Sequence, residues 1–447
     1  MLKRLLPPNN LAIRQPSQDE DTTEPVLVKY RAAPSKILIL QGPVGPFFSD
    51  LHKALLGNGI SVQRVLFNAG DSFFDRGNDS VRFTGSLLEW ETWLRFELTQ
   101  NTPDAIILFG SNRPAHEIAR RIAGYLAVNV VSLEEGYLRS GYITCEVGGN
   151  NQHSPMTKWQ PGGIARMDAA LHGTTHPIGG SSFKTMSFWG ALYYIVRDAF
   201  SATSDECLFH RRRERLLPLS YSWAAHLMRR AAARVFEISI RRVIHRDPGY
   251  ILVPLQVSTD SQLQTASRGW NTSKLVDACL QALVRSGSHE RVVFKLHSLE
   301  REGLVTTRLI MMRARQLGLA SSRVKIINSG RLGDLAHHSS GMVVINSTSA
   351  FSALHHDIPV LVLGEAVYRH ESVVTVGNTL ADVMGFFKIR RTKSRAVIDV
   401  FLSDLKMQSL LTGDFYATAG REVAIVNIIH KLKQFHTASL SKVKVSS

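Results

Sequence analysis

The chain has 447 residues, 44% hydrophobic and 20% charged, which excludes wholesale disorder and leaves room for two or three domains with large cores. Its formal net charge of +16 points to an anionic partner (nucleic acid, anionic lipid or a phosphorylated substrate), against the plainer reading of a basic surface that serves solubility. Cys145, Cys207 and Cys279 lie far apart with no CxxC pair, which argues against a disulfide framework or a zinc site and fits a reducing compartment.

Residues 1–34 are polar and Pro-containing and read as a flexible leader. The opening Met1-Leu2-Lys3-Arg4-Leu5-Leu6 is too short an apolar run for a signal peptide, and no stretch of about 18 apolar residues occurs, so any membrane contact is expected to be peripheral. Lys36-Ile37-Leu38-Ile39-Leu40 is a continuous apolar run closed by Gly42-Pro43, the pattern of a buried parallel strand. A helix over 47–57, a strand over 62–67, a helix over 85–98, a strand over 105–109, a helix over 114–126 and a strand over 129–133 follow. Strands alternating with helices predict a doubly wound sheet, with ligands at the carboxyl ends of the strands.

Residues 185–246 differ: they have helical periodicity and are crowded with arginine. The strand pattern restarts at 250–255 and recurs at 292–294, 324–327, 342–345 and 359–363, with helices over 272–286 and 303–317 between. The predicted organisation is an N-terminal α/β domain over 35–246 with a basic helical insertion, a second α/β domain over 247–394, helices over 395–436 and a loose tail over 437–447. Two Rossmann-like domains facing across a cleft make the GT-B architecture, although binding proteins and dehydrogenases also pair such domains.

The loops at the strand ends carry the chemistry. Gly42 and Gly45 fit either a close approach of backbone to an anion or a tight strand-to-helix turn, and Phe47 and Phe48 fit plain core. Asn68 and Asp71 fit sugar hydroxyls and an Asx turn equally. Glu134 and Glu135 end an inner strand, where alternation lets one of them point into the cleft, and sugar transfer needs a carboxylate beside the anomeric carbon. Lys295 and His297 end the strand at 292–294 and are suited to a nucleotide phosphate. Asn346, Ser347 and Thr348 read as the N-cap of the next helix, with free N–H groups for the same phosphate. Gln256 lies at the domain junction, and His355-His356-Asp357 reads as the end of a helix, without a metal role.

Several of these segments, in order, resemble the bacterial capsular polysaccharide biosynthesis and export family of β-Kdo transferase type. They are Gln41-Gly42-Pro43-Val44-Gly45-Pro46, Phe67-Asn68-Ala69-Gly70-Asp71, Phe109-Gly110 with Arg113-Pro114, Glu134-Glu135-Gly136-Tyr137-Leu138-Arg139 with Tyr142, Val253-Pro254-Leu255-Gln256, Phe294-Lys295-Leu296-His297 and Asn346-Ser347-Thr348. The resemblance implies a GT-B fold, a CMP-Kdo donor, a lipid-linked acceptor, no metal and no other cofactor. It also implies retaining transfer, with Glu135 at the catalytic acidic position, Arg139 able to fork onto the Kdo carboxylate, and Gly42, Gly45, Asn68, Asp71, Arg113 and Tyr142 with Arg139 on the acceptor side, in the first domain. Ser111, Ser140-Gly141, Leu296 and Ser298 stand where the family favours Asp, Pro-Asp, His and Pro. These departures motivate a second reading, a specialised or non-catalytic partner in capsule export, and a third, transfer from another nucleotide sugar. The arginines between Arg211 and Arg246 suit an anionic inner-membrane surface met from the cytoplasm or, more blandly, a solvated helical face. No nucleic-acid motif is recognisable, so nucleic acid is not expected as a partner.

Overall fold

The computed structural model describes residues 34–76, 80–138, 141–162, 183–200, 249–257, 260–287 and 290–445, with Leu208 and isolated positions between 225 and 242. The leader at 1–33, and Arg139 with Ser140, fall outside the described residues.

The first domain runs β1 (Lys36–Ile39), α1 (Phe47–Gly57), β2 (Ser61–Leu66), α2 (Ala69–Phe73), β3 (Ser80–Arg82), α3 (Leu87–Asn101), β4 (Ala105–Phe109), α4 (Pro114–Tyr125), β5 (Asn129–Glu135), β6 (Tyr142–Val147) and α5 (Phe183–Phe200). The second runs β7 (Tyr250–Pro254), α6 (Ser261–Thr265), α7 (Thr272–Arg285), β8 (Val292–Lys295), α8 (Gly303–Gln316), β9 (Val324–Ile327), α9 (Leu332–His337), β10 (Ser339–Val344), α10 (Ala350–His355), β11 (Val360–Val362), β12 (Thr375–Val376), α11 (Leu380–Lys388) and α12 (Arg395–Ser409). The chain then returns to the first domain as β13 (Leu410–Thr412) and α13 (Thr418–Val445).

The inner strands β1, β4 and β7, and β10 from Met342 on, are almost wholly apolar because helices cover both of their faces. The second sheet has the order β12-β11-β10-β7-β8-β9 and is parallel throughout. The first has the order β13-β6-β5-β4-β1-β2-β3. Its β1 to β5 pairs are parallel, and β6 and β13 extend it antiparallel, with Leu410 opposite Thr144 and Glu135 opposite Ile143. Phe47 and Phe48 are core, packed with Phe415 from the returning segment.

Three expectations from the sequence need correction. Residues 395–436 are not wholly helical, since β13 interrupts them; the tail does not loosen at 437, since α13 continues to Val445. The basic segment does not belong to the first domain alone. Ile240 packs against the core of the second domain, and Glu237 accepts from the backbone and side chains of Asn328 and Ser329. No helix among the described residues is long and apolar enough to cross a membrane.

The returning helix α13 is pinned by a buried cation. Lys431 Nζ donates to Cys145 O at 2.7 Å and to Gln408 O at 2.6 Å, and burial lowers its pKa. Lys431→Met keeps the apolar stem and strips both carbonyls of this donor. Urea unfolding is expected to show a loss of about 2–3 kcal/mol, and an unchanged midpoint would mean that α13 is held by apolar packing alone.

Candidate active site in the interdomain cleft

The carboxyl ends of β5, β7, β8, β9 and β10 converge on one cavity of about 550 Å³ between the domains. Glu134, Glu135, Gly136 and Tyr137 of the first domain line one wall; Gln256, Lys295, His297, Asn346, Ser347 and Thr348 of the second line the other. The predicted catalytic and donor-side residues are therefore brought together. A hollow of about 460 Å³ beside α3 and α4, lined by Leu87, Pro114, Glu117, Ile118, Arg120 and Arg121, lies away from these strand ends.

Both glutamates reach the cleft because β5 ends there. Gly136 turns the chain where a Cβ would stand 2.4 Å from Tyr142 O, a contact that no side chain tolerates. The two environments differ. Glu135 is exposed to solvent and accepts from Tyr416 Oη at 2.7 Å. Glu134 is half-buried, and Asn151 Nδ2 donates to its Oε2 at 2.8 Å. Burial, then the nearby carboxyls of Asp260, Glu146 and Glu135, push the Glu134 carboxyl up to about 8, with Arg113 opposing. The sequence singled out Glu135 of the pair and gave no sign of this, because Asp260, Asn151 and Glu146 come from other segments.

Beneath the pair, Tyr137 Oη donates to the buried Glu146 at 2.8 Å and accepts from Asn151 N at 2.7 Å. Glu146 also accepts from Ser154, from Ser409 Oγ at 2.6 Å and from Asn150 Nδ2 at 3.4 Å. This network was not legible in the sequence, since its donors lie up to 263 positions away.

On the opposite wall, Leu299 N donates to His297 Nδ1 at 3.2 Å, which puts the proton of the neutral imidazole on Nε2. Gln256 Nε2 donates to Asp260 Oδ2 at 3.2 Å, and Asp260 caps α6. Asn346 Nδ2 bridges Gln262 O and Ala266 O, while its buried Oδ1 has no partner among the described residues. An acceptor left unsatisfied on a cleft wall calls for a donor from a ligand or water. The expected cap at 346–348 needs correction: α10 starts at Ala350, its N-cap Ser349 is already αR, and the hydroxyl of Ser347 accepts from Ser349 N at 3.2 Å. Ser347 O also receives the Tyr368 hydroxyl at 2.6 Å, which fixes the turn.

The acceptor-side candidates Gly42, Gly45, Asn68, Asp71, Arg113 and Tyr142 lie outside the cavity lining. Asn68 caps α2 by accepting from Asp71 N, so the Asx turn is the arrangement adopted. Asp71 is buried and receives Gln41 Nε2, Phe67 N and Tyr193 Oη at 2.8–3.0 Å, so its carboxyl is engaged within the first domain. Gly42 sits where a Cβ would strike the Phe48 ring at 2.7 Å, and Gly45 (φ +102°) sits against Trp189; both are packing turns. Arg113 lies over the Phe109 ring and donates to Gln41 Oε1 at 2.8 Å and Gly42 O at 3.0 Å, clamping that turn. Tyr142 faces Lys406 across the β6–β13 edge.

Two of the departures noted in the sequence have structural counterparts. Ser111 is buried and exchanges hydrogen bonds with Asn150, and Leu296 is core. His355 and His356 end α10, with their rings packed together and His356 against His337. Among the described residues no group of three or more His, Cys, Asp or Glu side chains is arranged to hold a metal.

Two α/β domains with a polar cleft at the carboxyl ends of their sheets define the GT-B architecture. The family described as "Capsule polysaccharide biosynthesis protein" matches residues 104–416, and the chain belongs to it. The chain is 29% identical to the capsule polysaccharide export protein KpsS of Escherichia coli, over 77% of this chain and 88% of that protein. It is 30% identical to the capsule polysaccharide modification protein LipB of Neisseria meningitidis serogroup B, over 77% of this chain and 84% of that protein. Among solved structures, the β-Kdo 2,4 transferase part of Thermosulfurimonas dismutans KpsC aligns with 88% of this chain and 98% of its own at 14% identity and a TM-score of 0.40. The β-Kdo 2,7 transferase part of the same protein aligns with 89% of this chain and 99% of its own at 14% identity and a TM-score of 0.38.

The Glu134 environment carries a pH signature. Its value in the folded protein, about 8, exceeds its ordinary value of 4.5, so its stabilising share is complete below 4.5 and is lost as pH rises through about 8. Glu134→Gln removes that loss. Relative to wild type, the variant is expected to gain on the order of 2 kcal/mol between about pH 5 and about pH 9 in urea unfolding. A stability difference that stays flat with pH would show that Glu134 ionises normally.

Proposed function

We propose that the protein is a glycosyltransferase that moves Kdo from CMP-Kdo to a lipid acceptor, of lysophosphatidylglycerol type or its Kdo linker, in capsule polysaccharide assembly. The observation that carries this reading is the single cleft that sets the β5 carboxylates against Lys295, His297 and the 346–348 turn. Family membership supports the process, and the ordered motif resemblance supports the choice of sugar and nucleotide. The work would be done from the cytoplasmic face of the inner membrane, by a protein held there peripherally, alongside the capsule export machinery.

In this reading Lys295 neutralises the nucleotide phosphate, His297 Nε2 donates a hydrogen bond to it, Ser347 and Thr348 add hydroxyl donors, and Asn346 Oδ1 and Gln256 contribute hydrogen bonds to the donor. A Glu135 oxygen attacks the anomeric carbon as the bond to the phosphate oxygen breaks, and CMP leaves with the bonding electrons. The acceptor hydroxyl then attacks the same carbon, gives its proton to a base, and the bond to Glu135 breaks. Two inversions give net retention. Arg139 keeps its proposed role on the Kdo carboxylate from outside the described residues. No metal enters any step.

The buried Leu296 and the neighbouring Ser298 favour a second reading, a non-catalytic export partner or a transferase for another nucleotide sugar. Incubation with CMP-Kdo and short-chain lysophosphatidylglycerol separates the readings. A Kdo-lipid product supports transfer; CMP binding with no product favours the partner.

Glu135→Gln is expected to lower turnover by about 100-fold or more with the fold intact, and near-normal turnover would remove Glu135 from the chemistry. His297→Ala and Ser347→Ala are each expected to weaken CMP binding in calorimetry, about tenfold for the loss of one charge-assisted or ordinary hydrogen bond. Wild-type turnover is expected to survive EDTA. Unchanged CMP affinity in both variants, or inactivation by the chelator, would count against the metal-free phosphate site.

A further inference from the structure

The described positions of the arginine-rich segment have two unlike faces. All of those from Ala225 to Arg242 are helical. Glu237 is buried on the Asn328–Ser329 loop, and Ile240 packs on the second domain's core, so these residues mark the inner face. Met228, Ala231, Ala232, Val235 and Ile238 are exposed at spacings of three and four, a continuous apolar stripe on the outer face. Met228, Val235 and Ile238 are 67%, 66% and 41% exposed.

Among the described helices, α5 carries a comparable exposed stripe (Phe188, Ala191, Ile195 and Ala199), but its cations are only Lys184 and Arg197, and Arg197 is buried against Asp198. On α3, Leu88 and Phe96 are equally exposed, but Glu89, Thr92 and Arg95 break their face. Among the described residues no polar side chain falls on this stripe between Met228 and Ile238, and the surrounding sequence is strongly basic: between 211 and 246 there are ten arginines against two glutamates. One of those glutamates is Glu237, already buried. An apolar stripe in a cationic segment complements a surface that is anionic at its headgroups and apolar beneath them.

We propose that the outer face formed by Met228, Ala231, Ala232, Val235 and Ile238 docks on an anionic phospholipid bilayer. The apolar side chains enter the boundary between headgroups and acyl chains, the cationic composition of the segment favours anionic headgroups, and the exposed Arg242 at the end of the same face meets a lipid phosphate. The inner face of the same segment holds Asn328 and Ser329, which line the cleft, so the docked element is also part of the active-site wall. A lipid acceptor would reach the cleft from the surface on which the protein rests. The docking surface stands independently of the transfer reading; only this last consequence rests on it.

The test is sedimentation of the full chain with vesicles of phosphatidylglycerol and phosphatidylcholine, at low and high salt. Wild type is expected to bind the mixed vesicles, to bind pure phosphatidylcholine at least tenfold more weakly, and to lose part of its binding as salt rises. The triple variant Met228→Ser, Val235→Ser, Ile238→Ser is expected to lose tenfold or more in vesicle affinity, with its melting midpoint and CMP affinity unchanged. Leu88→Ser with Phe96→Ser on α3 is the control and is expected to bind like wild type. Should the triple variant fail to fold, Val235→Asn alone is expected to lose at least threefold. Wild-type affinity in a folded triple or single variant would overturn the proposal. So would a wild type that ignores vesicles, including one that self-associates through this face by light scattering. Normal vesicle binding by a wild type that neither binds CMP nor transfers sugar would retire the transfer reading and leave the docking face standing.

Discussion

The buried Glu146 carboxyl is the polar group around which the first wall of the cleft is assembled. A carboxylate taken out of water costs several kcal/mol unless donors surround it. Here the donors come from Tyr137, Asn150, Ser154 and Ser409; burial still pushes the Glu146 carboxyl up, with Ser154, Ser409, Tyr137 and Lys431 opposing. Tyr137 follows the two glutamates with only Gly136 between, and Ser409 ends α12. Satisfying one acid therefore fixes the turn after β5, the 150–154 stretch and the point at which the chain returns to the first sheet. Removing any donor would leave the acid short of a partner, and the glutamates above would lose the floor that sets their position.

The same floor joins the domains. Tyr137, Met156 and Trp159 are carried by the first domain yet pack in the core of the second. Trp159 Nε1 donates to Asp404 at 2.8 Å, Met156 O meets His370 Nε2 at 2.9 Å, and Asn112 Nδ2 reaches Gln262 Oε1 at 3.1 Å. Gln262 in turn offers its carbonyl to Asn346 on the donor wall. Hydrogen bonds thus run from Glu146 through Asn150 to Ser111, and from the adjoining Asn112 through Gln262 to Asn346, beneath the cleft. Such a floor keeps the reacting groups in register while leaving the cavity above it open, the kind of support that catalytic geometry requires.

What was legible in the sequence follows from where the signal lies. The inner strands are covered on both faces, so β1, β4, β7, β8 and β11 read as apolar runs. Lys295, His297 and Ser347 end or follow such strands, and their convergence follows from the topology of any open parallel sheet. By contrast, β6 mixes Thr144 and Glu146 into its strand, and β13 is three residues long with its partner more than 260 positions earlier. No local pattern reports a pairing of that kind. Asn68, Asp71 and Arg113 were correctly seen as polar groups at strand ends. Their engagement with Gln41 and Tyr193 depends on α5, which approaches from beyond residue 183.

The two adjacent glutamates illustrate how position alone divides roles between identical side chains. Alternation along β5 sends Glu135 toward the side of Leu133 and the returning segment, where solvent and the Tyr416 hydroxyl accommodate charge. It sends Glu134 toward Asn151, with Asp260 and Glu146 near, where burial and like charges oppose ionisation. A third negative group between Glu146 and Asp260 would be repelled from both sides, and a neutral Glu134 avoids that repulsion while still accepting from Asn151. The strand end therefore presents the cleft with one solvated carboxylate and one protonated acid. A nucleophile or base needs the former, and its neighbour, by staying neutral, spares the site a second charge that would repel an anionic donor.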